Sequence, residues 1–233
     1  MPGAAVNGRF GGRGKRALPN CSLSESNGPR LTPVLRHTTT DRGHRLDWIE
    51  DLHSLGYGVF VLDYRGYGGS EGSPTEEGFY RDGEAAVRWL EKQGIQDLVY
   101  FGESLGCGVA VEMAKRQPPV ALILQSGFSS ALDVARKAYP YLPVRLLMKD
   151  RFDSKQKMAT ILCPVLFIHG ERDSVIPLKL GRALYEAANE PKTWFPIPEA
   201  DHNDLPEVGG KTYLDGIQEF LQRQLWGRQL KAE

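Results

Sequence analysis

Short, unbroken apolar runs alternate with amphipathic stretches along most of this chain, and that alternation restricts its fold more than any other feature. The runs are YGVFVLDY (57–64), DLVYFGES (97–104), VALILQSGF (120–128), PVLFIHGERD (164–173) and TWFPIPEADH (193–202). Each is short and rich in β-branched or aromatic residues, which predicts a strand buried on both faces. Between them, apolar residues recur at helical spacing. Leu46, Ile49, Leu52 and Leu55 mark one helix with Gly56 as its stop, and Phe79, Ala86, Val87 and Leu90 mark another ending near Gly94. Val109, Ala110 and Met113 lie on a third, residues 178–189 form a fourth, and Tyr213, Ile217, Phe220 and Leu221 give the buried face of a last one. Strand followed by helix, repeated, implies an α/β fold with a mostly parallel sheet and helices on both faces.

Two regions break the rhythm. Residues 129–160, including YPYLPVRLLMKDRF, predict a small helical, cap-like insertion that supplies the apolar and aromatic groups a substrate cleft needs. Residues 1–30 are rich in Gly, Pro, Ser, Asn and Arg without periodicity, and read as a flexible leader. The main domain is then 31–226, and 227–233 is a C-terminal tail. The 233 residues are enough for one sizeable core.

Charge narrows the partners. Lys plus Arg and Asp plus Glu number 29 each, so no global field favours nucleic acid or an anionic membrane. No apolar run approaches the ~20 residues that span a bilayer, so no integral membrane segment is expected. The N-terminus lacks the apolar stretch of a secretory signal. Cys21, Cys107 and Cys163 cannot all pair within the chain, and no CxxC or His/Cys cluster suggests a metal site. A reducing compartment, the cytoplasm, is the expectation.

The chemistry centres on GESLG (102–106), where Ser104 lies between a strand and a helix. GxSxG alone is a weak signal, but in that position it forms a nucleophile elbow. A helix opening after Ser104 aims its first N–H groups at any oxyanion formed there. Serine attacks only when a base removes its proton, so a histidine is required. His53 falls within a helix, His169 within a strand, and His37 and His44 within the irregular N-terminal block. His202, in EADHNDL, follows the last strand on the same sheet edge as Ser104. Asp173 ends another strand there and could orient His202 while also capping the segment that follows; Asp133 is the rival acid.

LDYRGYGGSEGSP, GESLG, HGERDSVIP and EADHNDL, in that order, resemble the Bem46-type branch of the α/β-hydrolase superfamily over roughly residues 44–226. The resemblance implies a serine hydrolase of the esterase or thioesterase kind, acting on a small-molecule acyl ester or thioester without metal or cofactor. It implies that Ser104 is the nucleophile, His202 the general base and then acid, Asp173 the orienting acid, and the Leu105 N–H one oxyanion donor. The second donor belongs to a loop after an early strand. PVLRHTTTDRGHRLDW (33–48) stands in that place, with Thr38 as the candidate and no glycine beside it. The early strands of the fold are not evident, and residues 1–43 are expected to pack poorly. A non-catalytic binding protein on the same fold, lacking a complete oxyanion hole, is the alternative, and a peptidase is a second enzymatic reading.

Overall fold

The computed structural model describes residues 6–8, 21–24, 31–36 and 49–229. Its strands are β1 (Val6–Gly8), β2 (Cys21–Ser24), β3 (Leu31–Arg36), β4 (Gly58–Leu62), β5 (Val99–Glu103), β6 (Ala121–Gln125), β7 (Val165–Gly170) and β8 (Lys192–Ile197). They form one sheet in the order β1-β2-β4-β3-β5-β6-β7-β8. From β4 to β8 every pairing is parallel, and β1 and β2 add antiparallel at one edge.

Period-two alternation along the central strands builds two cores. Phe60, Leu62, Tyr100, Leu122, Leu124, Val165 and Phe167 face one way, against α2 (Glu76–Lys92), α3 (Leu105–Arg116) and α7 (Leu178–Glu186). Val59, Val61, Val99, Phe101, Ile123, Leu166 and Ile168 face the other way. There they meet Leu52 of α1 (residues 49–54) and Tyr213, Ile217 and Leu221 of α8 (Leu205–Gln229). Each such side chain contributes about 1.5–3 kcal/mol by leaving water, so the strand–helix alternation is energetically decisive. α8 bends at Gly210, whose φ of 47° suits a residue without Cβ.

The insertion consists of α4 (Ala131–Ala138), α5 (Val144–Leu147) and α6 (Ser154–Met158), as the break in rhythm predicts. The N-terminal reading needs correction. Early strands are present, and β1 and β2 fall inside the stretch read as a flexible leader. Within residues 1–43, β3 is a central strand between β4 and β5. Proline normally argues against a central strand because it has no N–H for the ladder. Pro33 is in register with Phe60 of β4, while pairing with β5 begins only at Val34, one residue beyond it. α8 also runs to Gln229, past the expected boundary at 226.

Candidate active site

β5 ends at Glu103 and α3 begins at Leu105, so Ser104 alone makes the turn between them. Its φ of 50° and ψ of −119° lie where a residue with a Cβ is held only under constraint, at about 1–3 kcal/mol. The constraint is visible. Ser104 N–H donates to Gln125 O at 2.9 Å, and Cys107 N–H donates back to Ser104 O at 3.0 Å. Gly102 admits the close approach of α3: a Cβ there would lie 2.7 Å from both Cys107 Cα and Gly106 O. Beneath the turn, Cys107 Sγ lies 3.2 Å from the carbonyl oxygens of Gly102 and Gln125. Burial pushes that thiol well above its ordinary pKa, which makes it a neutral packing group.

The loop after β7 carries Asp173, whose Oδ1 accepts N–H bonds from Val175 at 3.0 Å and Ile176 at 2.6 Å. The same carboxylate lies 2.9 and 3.1 Å from His202 Nδ1, in the loop after β8. His202 Nε2 in turn lies 3.0 Å from Ser104 Oγ. With Nδ1–H donated to the carboxylate, Nε2 is left as the acceptor that faces the serine hydroxyl. Burial opposes the charge on Asp173, but the hydrogen bond and charge of His202, with the Ile176 N–H, outweigh it. The carboxyl is held below its ordinary range. Asp173 therefore both closes its own turn and meets His202.

The other candidates are placed elsewhere. Asp133 Oδ2 accepts from the hydroxyls of Ser129 at 2.7 Å and Ser130 at 2.8 Å, at the start of α4. His53 belongs to α1. Leu105 opens α3, so its N–H has no carbonyl one turn back to bond. Thr38, His37 and His44 lie outside the described residues.

Two neighbours of the site escape a reading of the sequence. Asp201 Oδ1 accepts from the Ser174 N–H at 2.7 Å and from the His202 N–H at 2.7 Å, which pins the acid-bearing loop to the histidine-bearing one. Sequence proximity to His202 makes Asp201 a poor partner for the imidazole, and nothing in the order of residues shows that its partner is Ser174. His169 is buried beside Asp173, with Nε2 donating to Ile176 O at 2.9 Å and its ring stacked on Trp194. It braces the turn that Asp173 closes. The HGxxD spacing carries that signal, since it puts the two side chains one turn apart at the end of a strand.

Comparison with known proteins agrees with this architecture. A family model described as alpha/beta hydrolase fold matches residues 41–160. An uncharacterized protein of Mycobacterium tuberculosis is 41% identical over 201 residues, 85% of this chain and 71% of its own length. The lysophosphatidylserine lipase ABHD12 of Danio rerio is 38% identical over 169 residues, 64% of this chain and 44% of that protein. The human alpha/beta hydrolase domain-containing protein 17B is 35% identical over 176 residues, 72% of this chain and 57% of that protein. Among solved structures, the Pyrococcus furiosus esterase Pf2001 superposes with a TM-score of 0.78 at 21% identity. That match covers 95% of this chain and 93% of the esterase. The chain belongs to the α/β-hydrolase fold family. Among the described residues, no helix is long and apolar enough to cross a membrane.

Proposed function

We propose that this protein is a serine hydrolase that cleaves carboxylic ester or thioester bonds of small acyl substrates through an acyl-enzyme. The observation that carries the proposal is the unbroken path from Ser104 Oγ through His202 to Asp173, with spacings of 3.0 and 2.9 Å. Relatives that bear lipase names fit an ester substrate.

In this mechanism His202 Nε2 takes the Ser104 proton as Oγ bonds to the substrate's carbonyl carbon. The carbonyl π electrons move onto oxygen, and that oxyanion faces the Leu105 N–H at the head of α3. Asp173 stabilises the imidazolium and fixes its orientation without taking the proton. When the tetrahedral intermediate collapses, His202 gives the proton to the departing alkoxide or thiolate. Water, deprotonated by His202, then attacks the acyl carbon, and the proton returns to Ser104 Oγ as the acid leaves. A single oxyanion donor would leave this enzyme slower by roughly 10²–10³-fold than one with two, since each donor supplies about 2.7–4 kcal/mol.

Covalent labelling with a fluorophosphonate, alongside hydrolysis of a short p-nitrophenyl ester, tests the proposal. Labelling is expected in the intact chain and absent in Ser104→Ala. Asp173→Asn should slow ester turnover by about 10²–10⁴-fold while Ser104 remains in place. Folded protein that neither labels nor turns over ester is instead a binding protein on this fold.

A further inference from the structure

The insertion leaves the carboxyl end of β6, the same strand end that anchors the Ser104 turn through Gln125 O. Its base is closed: Ala131 N–H donates to Arg151 O at 2.7 Å, and Lys155 N–H to Ser129 O at 2.9 Å. Its outer part is unusual for a protein surface. Tyr141 is 97% exposed and Leu146 84% exposed, and Tyr139, Leu142 and Leu147 are also in solvent. Other large exposed apolar residues, Leu162, Val175 and Val208, are separated singly along the described chain. A run of this kind marks a surface built to meet something.

Charge indicates what it meets. Between 136 and 151 the chain carries Arg136, Lys137, Arg145, Lys149 and Arg151 against the single acid Asp150. Asp150 is already engaged, accepting the Glu76 N–H at 2.9 Å. The five cations are exposed, and outside this stretch the chain is net acidic, with 24 Lys and Arg (29 less these five) against 28 Asp and Glu (29 less Asp150). Arg136 and Arg145 line a surface cavity of about 410 Å³ together with Tyr139, Leu142 and Val144. Planar guanidinium donors suit phosphate oxygens, while aliphatic and tyrosyl side chains suit the boundary between headgroups and acyl chains.

We infer that the outer face of the insertion, Arg136 to Lys149, docks reversibly on the surface of an anionic phospholipid bilayer. Tyr141, Leu142, Leu146 and Leu147 enter the interface, and Arg136 and Arg145 hold lipid phosphate. A bilayer docked there lies at the sheet edge that carries Ser104, so it would present acyl esters to the site. That last consequence rests on the hydrolase reading; the docking does not.

Flotation of the full chain with phosphatidylcholine vesicles, with and without one quarter phosphatidylserine, tests the inference. Binding is expected to the anionic vesicles alone and to weaken in high salt. Tyr141→Glu with Leu146→Glu should lower the partition about tenfold or more, with the thermal midpoint unchanged because both side chains are exposed. Arg136→Gln with Arg145→Gln should remove most of the preference for phosphatidylserine vesicles. Ser104→Ala should bind as the parent does, which separates this result from any failure of the hydrolase reading. Equal partition by parent and Tyr141/Leu146 variant overturns the inference. So does complete displacement by millimolar glycerol phosphate, which would make the cavity a small-anion site. A parent dimer in sedimentation that these substitutions dissolve would assign the face to a second copy of the chain, and would overturn it too.

Discussion

Around Ser104 the fold fixes individual atoms by competing demands on them. Asp173 shows this most clearly, since one carboxylate closes a turn through two N–H groups and also receives His202. The imidazole of His169, beside it, is held by the Ile176 carbonyl and buried against Trp194. Burial lowers its pKa below the ordinary 6.5, more than the Ile176 bond and Asp173 raise it. The unfolded chain therefore binds a proton that the folded chain refuses, and His169 costs stability as pH falls below about 6.5. Asp173 behaves oppositely. Its folded pKa is depressed below the ordinary 3.8, so its contribution is intact through that range and is lost only at lower pH. Thermal unfolding of the parent and His169→Gln between about pH 4.5 and 7 separates the two groups. The variant is expected to show a shallower decline towards acid, and identical slopes would remove His169 from the account.

The insertion is joined to the body of the protein by an exchange between elements. Glu76, in the first turn of α2, accepts the N–H groups of Arg151 at 2.7 Å and Phe152 at 3.0 Å. Its own N–H donates to Asp150, and Tyr80 Oη donates to its carboxylate at 2.5 Å. Acidic residues are favoured at this position because the N-terminus of α2 carries partial positive charge. Here that preference also returns the insertion to the sheet. Lys157 of α6 adds a second tie, reaching Glu112 of α3 at 2.6 Å. Glu76→Ala leaves the N–H groups of Arg151 and Phe152 and the Tyr80 hydroxyl without this acceptor and should cost about 1–3 kcal/mol. It should also speed limited proteolysis between residues 139 and 151 more than elsewhere. A loss of midpoint temperature with no change in the cleavage pattern would mean that Glu76 serves α2 alone.

Across the whole molecule, the sheet depends on strands far apart in the chain. β3 is inserted between β4 and β5, and β2 covers the other edge of β4. Without them β4 would present open backbone, a template for association with other chains. Amide hydrogen exchange should therefore find residues 34–36 protected to a degree comparable with β5, with β1, at the rim, exchanging faster. Protection no greater at β3 than in an exposed loop would contradict the pairing described above.

The apolar periodicities of residues 57–221 determined the class of fold directly, because burial on both faces leaves a sequence run few alternatives. The turn at Ser104 was legible for the same reason: glycine, serine and glycine at the end of a buried strand have a specific backbone use. Tertiary structure alone decided what depends on backbone pairing and on contacts between distant loops. VNG and CSLS are too short and too polar to announce strands, and Pro33 disguises the one that follows. Their place comes from N–H and C=O groups, which every sequence carries alike. The Asp201 bridge to Ser174 exists only once β7 and β8 lie side by side, and the proximity of His202 to Ser104 only once β5, β6, β7 and β8 are all paired. Residue type supplies the chemistry of such a site, but the sheet supplies the distances.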